Sequence, residues 1–152
     1  PGYANANDSY HQTASSPTGE GPYRAMSQAL RRAGIAPEEV GYVNVHGTGT
    51  PNNDAAEATA LERLFGEEVP PFSSTKSFTG HTLAAAGGIE AVYSVLAAAR
   101  GIRYGSPGFR NPVEGTRLVP CRNFEENAPV ERVLTNSFGF GGNDTSLIFS
   151  KR

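Results

Sequence analysis

The sequence is short of cysteine, of net charge and of large aliphatic side chains, and each shortage closes off a class of function. A single cysteine, Cys121, in 152 residues leaves no intramolecular disulfide and no multi-cysteine metal site. It is compatible with a reducing compartment. A net charge of −2 gives no electrostatic footprint for a nucleic-acid backbone or an anionic membrane. No apolar run approaches the ~20 residues that span a bilayer, and no signal peptide stands at the start. Leu, Ile, Val and Phe together make 30 of 152 residues, near the compositional border of disorder. Low charge and clear hydrophobic periodicity argue against disorder. So lean a core is the expectation for a domain that leans on more protein. The chain opens on Pro1, its sole methionine is Met26, and it reads as a piece of something longer.

What is present divides into short periodic segments. Residues 1–19, rich in Asn, Ser, Thr, Gly and Pro, read as loop. A helix opens at Gly21-Pro22, shows Met26, Ala29, Leu30 and Ala33 on one face, and stops at Gly34. Residues 40–46 form a short strand. Asn52 and Asn53 are placed to cap the next helix, with Asp54 in its first turn and Ala58, Leu61, Leu64 and Phe65 on its apolar side. Residues 70–74 are extended. Residues 80–100 read as a buried, Ala-rich helix with Ile89, Val92, Val95 and Leu96 on one side, and Gly87-Gly88 marks close backbone packing. Residues 101–130 carry four prolines and read as a surface excursion. Residues 132–138 and 145–150 alternate as a hairpin around GFGGND. The order implies one α/β layered domain.

Three titratable groups fall at the ends of buried elements. His46 ends a strand in VNVHGTGT, Lys76 follows an extended piece in SSTKS, and His81 opens the long helix in GHTLAAAGGIE. Sites in α/β sheets collect at the carboxyl ends of strands, so one shared pocket is expected. Taken singly, each is more ordinarily a structural histidine or a solvated lysine. All three are flanked by Gly, Ser or Thr that permit close approach. A histidine at a helix N-terminus has its cation disfavoured by the dipole, and a neutral imidazole there can donate N–H to a developing oxyanion. GTGT and GFGG lack the spacing of a phosphate loop or a dinucleotide fingerprint.

Together, VNVHGTGT with Asp54 and Glu57 downstream, SSTKS, GHTLAAAGGIE and NSFGFGG resemble the C-terminal half of an elongating β-ketoacyl-acyl carrier protein synthase. GYANANDSYHQT and GPYRAM extend the resemblance over essentially the whole chain, residues 1–152. It implies a thiolase-like α/β fold, of which this is the C-terminal half, a mixed sheet with packed helices. It also implies a decarboxylative Claisen condensation in fatty acid or polyketide synthesis. His46 and His81 match the family's two histidines, and Lys76 its motif lysine with Glu90 as counter-ion. Thr48 and Thr50 match positions that bind the phosphopantetheine arm. Gly139, Phe140, Gly141 and Gly142 match a gating loop, with Phe140 closing the acyl pocket and its N–H in the oxyanion hole. Asn44 and Ser137 would lie near Glu90, where such folds sometimes hold a cation. No functional metal and no dissociable cofactor are implied. The implied partners are acyl carrier protein and the chain's own N-terminal half, in a homodimer or heterodimer, with this piece alone monomeric or pairing through exposed apolar surface. The implied compartment is the cytoplasm.

The family's reactive cysteine belongs to the half not represented. Cys121, in the Pro-rich excursion, lacks the expected helix start and small-residue flanks; Arg122 beside it is placed to lower its pKa. The chain alone is expected to be inactive. Competing readings are a non-catalytic partner subunit that measures chain length, a thiolase, a plant-type polyketide or initiation enzyme, and a free-standing binding module. The paired histidines with TKS favour the elongating synthase.

Overall fold

The computed structural model describes residues 2–151. A five-stranded mixed sheet runs in the order β1-β5-β4-β2-β3. Its strands are β1 (Gly2–Asn7), β2 (Tyr42–Asn44), β3 (Phe72–Ser73), β4 (Arg132–Gly139) and β5 (Asn143–Ser150). β1, β5 and β4 pair antiparallel, while β4, β2 and β3 pair parallel. Helices α1 (Glu20–Ala33) and α2 (Pro51–Phe65) cover one face, and α4 (Ala86–Arg100) packs on the other; α3 (Lys76–Thr79) is a single turn. The expected mixed α/β layering is therefore present.

Strand alternation decides what each face receives. Val43, Val45, Leu134 and Ile148 turn toward α1 and α2, where they join Met26, Ala29, Leu30 and Leu61 in one core. Tyr42 and Val133 turn the other way, onto Ala97, Ala98, Ile102 and Val130. Asn44 and His46 share that second face of β2 and its extension, so the alternation that buries the valines also aims the histidine. α1 ends where expected, at Gly34, whose left-handed φ of 68° closes the helix with its N–H on the Arg31 carbonyl.

Several local expectations are corrected. Residues 1–19 are not all loop: β1 pairs with β5 from Gly2↔Ile148 to Asn7↔Asn143. Gly, Ala and Asn are poor strand formers, but α1 crosses so closely that only small side chains fit, and a Cβ on Gly2 would collide with the Ala29 carbonyl. The strand at residues 40–46 is shorter, Tyr42–Asn44. Asn52 and Asn53 do not cap α2; Pro51 starts it one residue earlier behind an extended Thr50. Asn52 instead holds the loop before α1, accepting the Ser15 N–H at 2.9 Å. His81 does not open the long helix, which begins at Ala86. Gly80 (φ 69°) and Leu83 (φ 53°) break the backbone into an irregular bend that presents His81 ahead of it.

α4 is also not buried all round. Its inward side is Ala86, Glu90, Ser94, Ala97 and Ala98, whereas Val92 is 61% exposed and Leu83, just ahead of it, 78%. Gly87 packs closely, since a Cβ there would lie 2.9 Å from Ser137 Oγ, but Gly88 has nothing within 4 Å. The 18-residue stretch Leu83–Arg100 is long and apolar enough by composition to cross a bilayer, yet one side of it is committed to the sheet.

Gly2→Ala tests the β1 assignment. The added methyl should cost ~1–3 kcal/mol by overpacking against α1, read as a lower urea midpoint at unchanged m-value. A free loop at this position would leave the midpoint unchanged or raised.

Candidate active site

β2 delivers His46 just past its last ladder residue. The His46 side chain is 5% exposed. The chain then turns sharply through Gly47, and the turn is held by Glu57 of α2. Glu57 accepts the His46 N–H at 2.8 Å on one oxygen and the Gly47 N–H at 2.9 Å on the other. Asn136 of β4 donates a third hydrogen bond to it, at 3.0 Å. Burial pushes the Glu57 carboxyl up, against these three donors.

Lys76, at the start of α3, points back under the histidine. Its ammonium has three donors and finds three acceptors: the His46 carbonyl at 2.6 Å, His46 Nδ1 at 3.2 Å, and Glu90 Oε1 in a short ion pair. Glu90, on the inward side of α4, accepts from Ser137 Oγ on its other oxygen, at 3.5 Å. Burial pushes its carboxyl up, and the Lys76 ammonium pulls against that. Because Lys76 donates to Nδ1, the proton of a neutral His46 ring sits on Nε2. Burial, then the charge of Lys76, then His81 hold the His46 imidazolium down to about 3, so the ring is neutral across the physiological range.

His81 reaches the same place from the irregular bend. The two rings stand edge to face with centroids 5.5 Å apart and planes at 88°. The Leu83 N–H donates to His81 Nδ1 at 3.1 Å, which again leaves the proton to Nε2. Phe138 packs against His46 at 5.5 Å between centroids.

These groups open into a cleft of about 820 Å³ whose walls include His46, His81, Thr48, Thr50 and Phe140. Thr48 and Thr50 stand on one side, their hydroxyls 2.8 Å apart. Gly139, Phe140 and Gly142 also line the cleft, with Gly141 and Gly142 at φ 77° and 73°, and Phe140 is 80% exposed. The structure thus brings His46, His81, Thr48, Thr50, Gly139, Phe140 and Gly142 to one cavity, with Lys76 and Glu90 behind His46.

Asn44 and Ser137 do lie beside Glu90; the Asn44 amide donates toward the Glu90 carbonyl at 3.4 Å. This donor set does not fit a functional metal. Glu90 is its one anion and is spent on Lys76, and among the described residues no three His, Cys, Asp or Glu side chains converge. Cys121 lies away from the cleft, its N–H on the Phe72 carbonyl at 2.8 Å. Burial pushes its thiol up, and the opposing cation is Arg103, not Arg122, which stacks on Phe109.

Glu57 and Asn136 were not singled out by sequence as site residues, although they set the backbone that carries His46. The available signal was an acidic residue among the alanines of α2, one helical step from Leu61.

The buried Lys76–Glu90 pair makes a stability prediction. Lys76→Met strands the Glu90 carboxylate and should cost ~3–5 kcal/mol, with a large part recovered in Lys76→Met/Glu90→Leu, where no charge is left uncompensated. Denaturant unfolding of the single and double variants reads this directly. A double variant as damaged as the single would show that charge burial is not the cost.

The comparisons agree with this geometry. Residues 1–108 match the sequence model of the beta-ketoacyl synthase C-terminal domain. A 3-oxoacyl-[acyl-carrier-protein] synthase 2 of Coxiella burnetii is 43% identical over 99% of this chain, which spans 37% of that relative. Among solved structures, the ishigamide ketosynthase/chain length factor superposes with a TM-score of 0.92 at 32% identity, over 99% of this chain and 37% of that one. A type II polyketide acyl-carrier protein in complex with its hexaketide-bound ketosynthase gives 0.93 at 31%, over 99% and 38%. The chain therefore spans a little over a third of the proteins it matches. From strand register to the residues around His46, and by direct match over residues 1–108, this chain belongs to the beta-ketoacyl synthase family and carries its C-terminal domain.

Proposed function

We propose that this chain is the C-terminal half of an elongating 3-oxoacyl-acyl carrier protein synthase, an acyltransferase of fatty acid or polyketide synthesis. The observation that carries this reading is the convergence of two imidazoles on one cleft, each with Nδ1 already bonded and each therefore left with Nε2–H as a donor. Two fixed N–H donors suit a negative oxygen that forms during reaction, because their orientation is set before the charge appears.

In the proposed reaction a malonyl thioester loses CO₂ and its electron pair passes into an enolate. His46 and His81 donate to the enolate oxygen. The carbanion carbon then attacks an acyl thioester carried on a cysteine of the other half. The new C–C bond forms, the C–S bond breaks, and the cysteine thiolate leaves. Lys76 and Glu90 are positioning residues that hold His46 in its neutral tautomer. Thr48 and Thr50 would hydrogen-bond the phosphopantetheine arm of acyl carrier protein. The turn at Gly139, Phe140, Gly141 and Gly142 would open and close the acyl pocket, with the Phe140 N–H facing the oxyanion. No dissociable cofactor takes part, and the setting is cytoplasmic.

The other half has a natural seat on the outward side of α4. Val92 and Val95 are exposed there, and Gly88 has open space in front of it. A contiguous apolar face of this kind marks a protein contact. The chain's share of its relatives, a little over a third, leaves room for such a half. The whole protein would be a homodimer, or a heterodimer with a chain length factor like the solved ketosynthase/chain length factor pair that it resembles.

Incubated with malonyl- and acyl-carrier protein, this polypeptide alone should form no 3-oxoacyl product. The protein that contains both halves should form it, and His46→Ala there should lower decarboxylation by about 10²–10³-fold. Turnover by the 152-residue chain, or an unaffected His46→Ala enzyme, would overturn the reading.

A further inference from the structure

One buried acid has no part in the mechanism above. Asp144, the second residue of β5, is 1% exposed, and its Oδ2 has no hydrogen-bond partner. It faces Gly21 at the start of α1 so closely that a Cβ on that glycine would collide with Oδ2. The same absent Cβ would stand 2.8 Å from Asp8 Cβ, so the two aspartates crowd one point. Asp8 is already engaged: Oδ1 accepts the Tyr10 N–H and Oδ2 the Ser16 N–H, both at 3.0 Å.

This acid pair sits under the turn at residues 140–142. A Cβ on Gly142 would run into Asp8 Oδ1. Three hydrogen bonds stitch the turn to the segment after β1: Asp8 N–H to the Gly142 carbonyl at 3.2 Å, Asn7 Nδ2 to the Gly141 carbonyl at 2.8 Å, and Gly141 N–H to the Gln12 carbonyl at 2.7 Å. Any movement of the turn away from the cleft wall must break them.

We propose that Asp8 and Asp144 form a proton-dependent latch on the 140–142 turn. With a proton on Asp144 the turn stays docked on residues 7–12, and loss of that proton to solvent sets two carboxylates against each other and releases the turn.

The surroundings favour this in every direction. The charges acting on Asp144 are Asp8, beyond β1, and Glu57, on α2, and both are acidic. α1 offers Gly21, and its Glu20 turns outward to Arg24 and Arg63. β4 contributes Phe138 as the paired residue. Burial first, then these two acids, push the Asp144 carboxyl up to about 7. The sign is fixed by linkage. A carboxyl whose folded pKa is raised stabilises the docked form below its ordinary range, and that contribution is lost as pH rises through about 7.

That the turn gates the cleft rests on the function proposed above; the latch itself does not. The test is hydrogen–deuterium exchange of the peptide covering residues 139–144 in the full-length protein, corrected for intrinsic rate, between pH 6 and pH 8. Protection should fall by about tenfold across this range, since each pH unit between the ordinary carboxyl range and about 7 weakens the docked form by up to ten and the effect levels off above that point. Asp144→Asn and Asp8→Asn should each flatten the profile and remain protected at pH 8. A flat profile in the unaltered protein, or an Asp144→Asn profile that still rises, overturns the latch. Should Asp144→Asn fail to fold, the unaltered protein and Asp8→Asn decide the matter. No substrate is involved, so a protein that exchanges as expected but makes no 3-oxoacyl product counts against the proposed function alone.

Discussion

The site depends on one buried ammonium. Lys76 can sit under the sheet only because its three protons meet three acceptors, two of them on His46 and one on Glu90. Each partner comes from a different element: His46 from the end of β2, Glu90 from the inward side of α4, and Lys76 from the turn after β3. The pair therefore ties the ends of β2 and β3 to α4 on one face of the sheet. A buried ion pair is weak evidence of added stability, because desolvation offsets much of the attraction. Its consequence here is chemical. The ammonium takes Nδ1 of His46, disfavours the imidazolium, and leaves Nε2–H directed at the cleft.

A second layer holds the first. Glu57 spends both oxygens on the backbone N–H groups of His46 and Gly47, and Asn136 connects it to β4 and, through Ser146, to β5. The same strands lead directly into the 139–142 turn. His46 and the strands that lead into the 139–142 turn are thus built on one hydrogen-bonded frame. On the outward side of α4, Val92 and Val95 remain exposed.

Much of this was legible in the sequence, for physical reasons that differ by element. α1 was readable because Met26, Ala29 and Leu30 follow the helical period and Gly34 supplies a left-handed stop. His46, Lys76 and His81 were readable because titratable groups beside Gly, Ser and Thr at element ends are uncommon as packing, whereas Glu90, inside α4, came only with the family resemblance. β1 was hidden because its residues are chosen for the closeness of α1, not for strand propensity. The start of α4 was hidden because the bend at residues 80–85 depends on backbone angles that an Ala-rich sequence does not announce. Its apolar period was seen correctly, but a period reports an apolar face without saying which surface covers it. Glu57 was part of the family pattern but was given no role, because a carboxylate on a helix ordinarily faces water and only the fold reveals the two backbone donors waiting for it. The Asp8–Asp144 contact joins residues far apart in the chain and has no local pattern at all.

The central claim is that His46 is a neutral, Nε2-protonated donor because Lys76 occupies Nδ1. Nitrogen-15 spectra of histidine-labelled full-length protein test it most directly. Between pH 6 and pH 7.5 the His46 ring should give the two well-separated shifts of a neutral imidazole, with the protonated nitrogen assigned to Nε2 and no titration across the range. An Nδ1-protonated ring, or an imidazolium at pH 6, would contradict the account.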